Sequence, residues 1–416
     1  MNIGFISTRL AGVDGVSLET QKLAHSLRRM GYSCFFCAGE LDSNAQPGYL
    51  IPEAHFNHPN AQALHDEAFA SPHLAPSYFR RLYDSADAIR AELAQFIARY
   101  DIDVIVPQNA LTIPMNLALG IAITDLIKRT RIKTLAHHHD FYWERERFIN
   151  NGVQDVLNDA FPPDLQPIVH MVINKAMQQR LRAFKGIDAL YLPNVFDFDT
   201  PPPAPDDYAQ SFRAEIGLSA DDLIVLQPTR IVRRKGIELA IELMRRLDDL
   251  RLVFVVTGYE GDERGGYGDW LKMQAERAGI RYRFIGEYVG SERGQVNGHK
   301  VFDLWDVYPH AHLITYPSIY EGFGNALIET VYFRKPFVVN TYPMYLSDIK
   351  PTGIQAVEFL YDIDENTLEQ TRRLIDDSGY REQVTQHNYQ IGQQHFSYAV
   401  LDAVLAHALD QLTAHA

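Results

Sequence analysis

Short apolar strands alternate with helices along this chain, and the alternation runs twice. The first series has strand-like segments at 1–7, 32–38, 103–107 and 133–139, with helices predicted at 17–30, 76–99 and 114–128. The second series has strand-like segments at 223–227, 252–257, 282–285, 313–316 and 336–340, with helices predicted at 237–247 and 269–278. Such alternation predicts a mostly parallel sheet covered by helices. We therefore predict an α/β fold with two Rossmann-like halves.

A proline-rich stretch separates the two series. Prolines at 193, 201–203 and 205 are typical of a linker or a surface crossing. A chain of 416 residues is also long for one core. We predict an N-terminal domain at 1–193 and a C-terminal domain at 194–395. The domains should face a central cleft, with ligands at the carboxyl ends of the strands.

The composition excludes several classes of function. A net charge of −14 without a lysine-rich run argues against a nucleic-acid partner. Cys34 and Cys37 are the only cysteines. Their C-x-x-C spacing could suggest redox chemistry, but they lie in a predicted strand that places the sulfurs on opposite faces, which favours a structural role. No apolar run reaches transmembrane length, so we expect a cytoplasmic protein.

Two carboxylates flank a tight turn in the second half. Glu321 and Glu329 lie eight positions apart around a Gly-x-Gly turn at 322–324. The segment is predicted to be a buried strand, a loop and a helix start, whose backbone N–H groups favour anions. Carboxylates beside such donors suit a ligand with both hydroxyls and phosphates, such as a nucleotide sugar. The alternative is a purely structural helix start.

This segment resembles the Glu-x7-Glu donor motif of retaining glycosyltransferases, most closely glycosyltransferase family 4. The resemblance implies the GT-B fold, with a last helix at 396–416 that crosses back to the N-terminal domain. It implies that Glu329 binds the donor ribose and that Glu321 lies beside the donor sugar. The nucleotide base should lie against Val289 and the residues before it. The donor site would also include the residues of the turn, Gly322, Phe323, Gly324 and Asn325.

A cationic segment follows the first strand of the second half. Arg230 and Lys235 match the paired cations of the family, and Arg233 and Arg234 are predicted to be exposed or structural. Two fixed cations can stabilise a leaving nucleoside diphosphate without a metal ion. We therefore predict that Arg230 and Lys235 are catalytic; a solvated basic turn is the alternative.

Three consecutive histidines end the fourth strand of the first half. His137 and His139 should share a face of the strand, and His138 should point away. No neighbouring residues complete the spacing of a zinc site. The family places a histidine beside the scissile bond at this position, which implies a catalytic role for His139, with His137 as the fallback on the acceptor side. Asp140 would orient the imidazole or contact the acceptor.

Other residues of the first half are predicted to bind substrates. Gly12 and Gly15 lie in a loop that resembles the first glycine-rich loop of the family, near the acceptor and the donor phosphates respectively. Trp143 could stack on a sugar ring, and Arg145 and Arg147 could grip an anionic acceptor. The alternative is a surface helix start in which Glu144 and Glu146 pair with these arginines.

No metal cofactor is predicted. Asp-x-Asp pairs, which hold a metal ion in GT-A enzymes, occur at Asp101/Asp103 and Asp362/Asp364, but both are predicted to be solvated turns. The nucleoside diphosphate sugar should be a co-substrate.

The sequence therefore predicts a retaining, metal-independent glycosyltransferase. It would move a hexose, from GDP-mannose or UDP-glucose, to a small sugar or a glycosylglycerate. Long stretches at 258–270 and 290–305 are similar to those of enzymes that make small glycosides. A sugar-nucleotide-binding regulator without turnover remains open, and so does a homodimer. A Rossmann dehydrogenase is disfavoured, because no convincing G-x-G-x-x-G follows the first strand.

Overall fold

A computed structural model describes residues 1–12, 14–43, 45–259 and 266–414. The chain forms two units, each built around its own parallel sheet. The first unit comprises 1–194 and 399–416, and the second comprises 195–398.

The first unit contains a seven-stranded sheet in the order β3-β2-β1-β4-β5-β6-β7. Its strands are β1 (Asn2–Ser7), β2 (Ser33–Ala38), β3 (Gly48–Leu50), β4 (Val104–Pro107), β5 (Lys133–His138), β6 (Ile168–Val172) and β7 (Ala189–Tyr191). All neighbouring strands pair in parallel. The helices are α1 (Gly15–Arg29), α2 (Pro59–Ala70), α3 (Pro76–Tyr100), α4 (Leu117–Thr130), α5 (Gln154–Ala160) and α6 (Lys175–Lys185).

The core of the first unit packs α3 and α4 against the sheet. α3 buries one stripe of apolar side chains that recurs every three or four residues, including Leu82, Ile89, Leu93 and Phe96. A Cβ on Gly4 of β1 would lie 2.8 Å from the Phe96 ring, so this helix approaches the sheet closely.

The second unit contains a six-stranded sheet in the order β10-β9-β8-β13-β14-β15, and a separate two-stranded hairpin. Its strands are β8 (Leu223–Gln227), β9 (Leu252–Val256), β10 (Tyr282–Phe284), β11 (Gly294–Val296), β12 (His299–Val301), β13 (Ala311–Tyr316), β14 (Phe337–Asn340) and β15 (Val357–Phe359). The helices are α7 (Asp207–Gln210), α8 (Phe212–Glu215), α9 (Ile237–Leu247), α10 (Tyr267–Arg277), α11 (Leu304–Val307), α12 (Asn325–Tyr332), α13 (Glu365–Asp376) and α14 (Ser378–His395). The prediction of two Rossmann-like halves is confirmed.

The last helix, α15 (Tyr398–Ala414), belongs to the first unit from Ala399 onward. Within that unit Asp402 accepts a hydrogen bond from Ser26 and lies 3.5 Å from the Arg29 guanidinium. Across the described part of the chain, no helix has both the length and the apolar character needed to cross a membrane.

Several element boundaries differ from the sequence prediction. α4 begins at Leu117, because the Asn116 side chain caps it by accepting the Leu119 N–H at 3.1 Å. β5 ends at His138, because the His139 N–H donates to the Asn109 side chain instead of a strand. The sequence prediction misses β3, β6, β7, β15 and the β11–β12 hairpin.

Candidate functional site

Apart from Val289, the predicted donor residues of the second unit follow the carboxyl ends of two neighbouring strands. β8 and β13 pair in parallel at the centre of the sheet. The connections leave in opposite directions there, since β9 and β10 continue on one side and β14 and β15 on the other. A point where strand order reverses opens a crevice at the carboxyl ends, where open α/β sheets bind ligands.

The loops after these two strands are tied together at Gly236. This glycine has φ +59°, and a Cβ on it would lie 2.4 Å from the Pro317 carbonyl oxygen. The Ile319 N–H donates to the Arg234 carbonyl oxygen at 2.8 Å. Only glycine fits this contact, which brings the segment after β8 against the segment after β13.

Glu321 is a buried carboxylate that receives four hydrogen bonds. Its Oε2 accepts from Arg234 at 2.7 Å, and its Oε1 accepts from Ser318 at 2.7 Å and Tyr316 at 3.2 Å. Lys235 also donates to Oε1, in an ion pair. Burial alone would raise the pKa of Glu321, but Lys235 and Arg234 outweigh it and hold the pKa below its ordinary value. Glu321 is therefore ionised and rigidly held.

Arg230 differs from the other cations of this segment. Its side chain is exposed, and among the described residues its guanidinium has no hydrogen-bond or ion-pair partner. Burial is the main reason that the pKa of Lys235 is lowered, and the charge of Arg230 contributes to the same shift, so the two cations lie close together. Arg230, Arg234 and Lys235 are here called the cation cluster, and of these three cations Arg234 and Lys235 pair with one carboxylate, Glu321. The excess positive charge suits an anion such as a diphosphate.

The second predicted carboxylate lies on α12. Gly324 precedes this helix with φ +110°, and a Cβ there would lie 2.7 Å from the Tyr342 hydroxyl oxygen. Glu329 is partly exposed and accepts a hydrogen bond from Tyr308 at 3.1 Å. Of the turn residues, Phe323 is buried against Phe396, with ring centroids 5.9 Å apart. Partly exposed positions are Gly322, Asn325 and Val289, the last in the loop after β10.

Part of the long stretch at 258–270 lies outside the described residues, namely 260–265. The described start of that stretch shows a close approach between loops. A Cβ on Gly258 would lie 2.0 Å from the Thr229 carbonyl oxygen, and the Ile231 N–H donates to the Tyr259 carbonyl oxygen at 3.1 Å. The loop after β9 therefore supports the segment that carries Arg230.

In the first unit, the predicted acceptor residues follow β1, β4 and β5. The strand order reverses between β1 and β4. A cavity of about 140 Å³ opens there and is lined by residues that follow these two strands, including Arg9 and Gln108, and by Asp14 at the start of α1. Gly12 has φ +75°, and its N–H donates to Asp42 at 3.0 Å. A Cβ at Gly15 would meet no described atom within 4 Å, so packing does not require glycine there.

The histidine cluster, defined as His137, His138, His139 and His170, lies at the ends of β5 and β6. His137 Nδ1 donates to Gln108 Oε1 at 2.9 Å, and its ring lies 4.5 Å from that of His139. His138 and His170 share a hydrogen bond of 2.9 Å. Burial lowers the pKa of all four, to about 4 for His139 and His170. The cluster is therefore neutral at pH 7.

Asn109 organises the end of β5, although no sequence motif points to it. It adopts φ +56°, which is uncommon for a residue other than glycine. Its Oδ1 accepts the His139 N–H at 3.0 Å, and its Nδ2 donates to Asp140 at 2.9 Å. One amide thus fixes both the predicted catalytic histidine and the aspartate beside it.

The three residues predicted to grip the acceptor have other partners. Arg145 forms an ion pair with Asp140. Arg147 donates to Met115 Sδ at 3.0 Å, and its guanidinium lies 4.6 Å from the centre of the Phe148 ring. Trp143 stacks on Phe141 with ring centroids 4.5 Å apart. These contacts favour structural roles for these side chains.

Those structural roles differ from the alternative drawn from the sequence. Glu144 pairs with Arg180 rather than with Arg145 or Arg147. The segment forms two short 3-10 turns, Tyr142–Glu144 and Glu146–Phe148.

Both Asp-x-Asp pairs occupy structural positions. Asp101 ends α3 in a left-handed conformation, and Asp103 accepts the Asn2 N–H at 2.7 Å. Asp364 caps α13 by accepting the Thr367 N–H at 2.7 Å. Within the described ranges, no group of three or more His, Cys, Asp or Glu side chains is arranged to hold a metal ion.

We expect the first unit to lose stability as the pH falls from about 6.5 to 4. The folded cluster resists protonation, whereas unfolded histidines bind protons near pH 6.5, so stability is complete above that pH and declines below it. Thermal unfolding midpoints should be measured from pH 7.5 to 4.5. His170→Asn, which can keep the hydrogen bond to His138, should flatten the decline, and the exposed control His407→Asn should not. Equal slopes for all three proteins would contradict this explanation.

Comparisons with known proteins agree with this geometry. Residues 209–391 match the family described as Glycosyl transferases group 1. A mannosylglucosylglycerate synthase of Petrotoga mobilis is 33% identical over 378 residues, which cover 86% of each chain. A mannosylglucosylglycerate synthase of Thermotoga maritima is 32% identical, with 98% of this chain and 99% of that protein covered.

A solved structure also matches the whole chain. The sucrose-phosphate synthase from Thermosynechococcus elongatus superimposes with a TM-score of 0.68 at 16% identity, and all of both chains is covered. At this identity the match establishes the fold. The predicted GT-B fold and the family resemblance are both confirmed.

Proposed function

Because the chain belongs to the group 1 glycosyltransferases, we propose that it moves a hexose from a nucleoside diphosphate sugar to a small glycoside, with retention and without a metal ion. The relatives are named for a product that contains mannose, glucose and glycerate. On that basis we propose GDP-mannose as the donor and glucosylglycerate as the acceptor. UDP-glucose is the second donor to test.

The cation cluster is the observation that carries the proposal. Arg230 has an exposed guanidinium without a described partner, whereas the charges of Lys235 and Arg234 are opposed by Glu321. A diphosphate that leaves with developing negative charge would take the place of the missing partner. Lys235 would hold the cluster in place and add to its potential. Two fixed cations at this position can do the work that a metal ion does in other transferases.

We assign Glu321 to positioning rather than to nucleophilic attack. Each of its oxygens already accepts a charged donor, and Tyr316 and Ser318 bind Oε1 as well. Such a carboxylate is a poor nucleophile, because attack would break these bonds. It can instead orient the donor sugar and hold Lys235.

Retention then requires attack on the face from which the diphosphate departs. The acceptor hydroxyl oxygen would form a bond to the anomeric carbon as the bond from that carbon to the phosphate oxygen breaks. The hydroxyl proton would pass to the departing phosphate. His139 would lie beside the donor sugar, where its neutral imidazole and backbone carbonyl can accept hydrogen bonds from sugar hydroxyls.

A direct assay tests the proposal. The full chain would be screened for thermal stabilisation by UDP-, GDP- and ADP-sugars, and then for nucleotide release with glucosylglycerate, with excess EDTA and without it. We expect GDP release from GDP-mannose in both conditions, and a product with the anomeric configuration of the donor by NMR. Thermal stabilisation by a sugar nucleotide without turnover would favour the alternative that the protein is a sugar-nucleotide-binding regulator. An inverted product would contradict retention, and loss of activity that magnesium restores would contradict metal independence.

Glu329→Ala should weaken donor binding. Its carboxylate is proposed to accept hydrogen bonds from the ribose hydroxyls, and such charged hydrogen bonds contribute about 1.5–3 kcal/mol. Calorimetry should therefore show a dissociation constant for GDP raised about 10- to 100-fold. Glu369→Ala is the matched control, because Glu369 is an exposed residue on α13, and it should bind GDP like the wild type. Unchanged affinity in Glu329→Ala would remove Glu329 from the ribose site.

A further inference from the structure

We propose that the cavity at the ends of β1 and β4 binds the carboxylate of the acceptor, and that Arg9 and Gln108 are the residues that recognise it. The inference rests on the proposed function, because it specifies which part of the acceptor enters the first unit. Neither residue belongs to a motif in the sequence.

Gln108 supplies a buried donor that lacks an acceptor. It lines the cavity, is 1% exposed, and its Oε1 accepts from His137 Nδ1 at 2.9 Å. Among the described residues its Nε2 has no hydrogen-bond partner. A buried amide donor left unpaired is unfavourable. In this arrangement the amide oxygen faces His137, and the N–H groups without a partner suit a ligand oxygen.

Arg9 supplies the charge. Its Nη2 donates to Asp14 Oδ2 at 3.0 Å, and its guanidinium lies 5.6 Å from the centre of the Phe56 ring. The described residues offer no hydrogen-bond partner to the remaining guanidinium N–H groups. A guanidinium has five N–H donors in a planar fork that matches a carboxylate. Asp14 and Phe56 hold that fork in place and leave most of it open.

Asp14 does not turn the cavity into an acidic site. It caps α1, and its Oδ1 accepts the N–H groups of Val16 and Ser17 at 3.0 and 3.1 Å. Its Oδ2 accepts from the Ser17 hydroxyl at 2.9 Å in addition to Arg9. Its charge is therefore offset by a helix N-terminus and by one arm of Arg9. An acceptor carboxylate would bind to the other N–H groups.

The cavity also adjoins the predicted catalytic histidine. Asn109, which lines the cavity, accepts the His139 N–H at 3.0 Å. A small acid anchored by its carboxylate at Arg9 would therefore have its hydroxyl groups near His139. Arg145 is likewise paired with an aspartate, Asp140, but it does not line the cavity.

The test compares two acceptors, glucosylglycerate and glucosylglycerol, which differ only in that the carboxylate of the first is a hydroxymethyl group in the second. For Arg9→Met we expect kcat/KM with glucosylglycerate to fall about 10- to 100-fold, and with glucosylglycerol to fall less than about threefold. Arg9→Lys keeps the positive charge but loses the planar fork of N–H donors. Its kcat/KM with glucosylglycerate should therefore lie between those of the wild type and Arg9→Met. Arg80→Met is the matched control, because Arg80 is exposed on α3 away from the cavity, and it should behave like the wild type. Thermal unfolding would verify that each variant is folded.

Gln108→Glu provides an independent variant. It keeps the oxygen that accepts from His137 and replaces the free N–H groups with a negatively charged oxygen. It should selectively raise KM for glucosylglycerate. An equal fall in kcat/KM for both acceptors, in Arg9→Met and in Gln108→Glu, would overturn the carboxylate site and leave the proposed function standing. The carboxylate site would also be overturned if Arg145→Met, and not Arg9→Met, selectively lost activity with glucosylglycerate.

A binding measurement separates this proposal from the proposed function. D-glycerate and glycerol would be titrated into the full chain without donor and followed by ligand-observed NMR. We expect D-glycerate to bind the wild type and not Arg9→Met, and glycerol to bind neither. If no acceptor is turned over but this pattern holds, the carboxylate site stands and the proposed reaction fails. If D-glycerate does not bind the wild type, or binds Arg9→Met equally well, the carboxylate site is wrong.

Discussion

Arg230→Met should lower kcat about 100- to 1000-fold and change the KM for the donor by less than about threefold. Arg230 is the exposed cation of the cluster without a described partner. Its charge matters most when the diphosphate departs, so the transition state loses more than the bound donor does. Because the side chain holds no other described group in place, the variant should fold normally.

Initial rates over a range of donor concentrations, with saturating acceptor, measure this effect. Arg277→Met is a matched control, because Arg277 is an exposed arginine on α10 of the same unit. It should leave kcat and KM unchanged. Arg230→Lys keeps a positive charge but loses the fork, so it should retain part of the rate. A folded Arg230→Met protein with wild-type kcat would show that Arg230 does not stabilise the leaving diphosphate.

That the residues of the proposed donor site lie close together can be predicted from the sequence, for a topological reason. Loops that follow neighbouring parallel strands meet at one edge of a sheet, so residues after β8 and after β13 are expected together once the strands are recognised. The direct contact of Lys235 with Glu321 is harder to predict from the sequence, because it links residues 86 positions apart. It depends on the close approach of Gly236 to Pro317, and one glycine in a sequence does not reveal its partner.

The first unit illustrates a different limit. Arg9, Gln108 and Asn109 are single polar residues without a recognisable spacing, and only the fold brings the ends of β1, β4 and β5 together. The one available signal is that Gln108 and Asn109 follow directly on the apolar strand β4. Trp143 and Arg147, by contrast, attract attention as residue types, yet the structure packs both against neighbouring side chains. Residue type alone therefore does not distinguish Arg147 from Arg9, because the partners of each side chain are known only from the structure.

Lys235→Met should destabilise the second unit by about 3 kcal/mol, because it removes one partner of a buried ion pair. The Glu321 carboxylate would remain buried with Arg234, Tyr316 and Ser318 as its donors. Glu321→Gln should cost less, since burial already lowers the pKa of Lys235 and favours its neutral form when the carboxylate is gone. Hydrogen exchange of the amides in β8 and β13 under increasing urea would measure both losses within this unit.

The double variant Lys235→Met/Glu321→Gln decides whether the pair itself is responsible. Removing both charges leaves no buried ion from the pair, so the double variant should be more stable than the sum of the two losses predicts, by about 1–3 kcal/mol. Additive losses would mean that the two side chains act independently and that their contact contributes nothing to stability.

The coupling energy between Lys235 and Glu321 is the amount by which the double variant departs from additivity. Its pH dependence follows from the direction in which the pKa of Glu321 is shifted. The ion pairs hold the pKa of folded Glu321 below its ordinary value, so the unfolded chain binds the proton more readily, and the stabilisation is complete above about pH 4.3. It should be lost only as the pH falls through the lower, folded pKa. The coupling energy should therefore be constant between pH 7.5 and 5, although below about pH 6.5 the buried histidines of the first unit already reduce stability. A coupling energy that declines over the same pH range as the histidine-linked stability would show that Glu321 is not held ionised by Lys235 and Arg234. It would also remove the basis for treating Glu321 as the fixed carboxylate of the donor site.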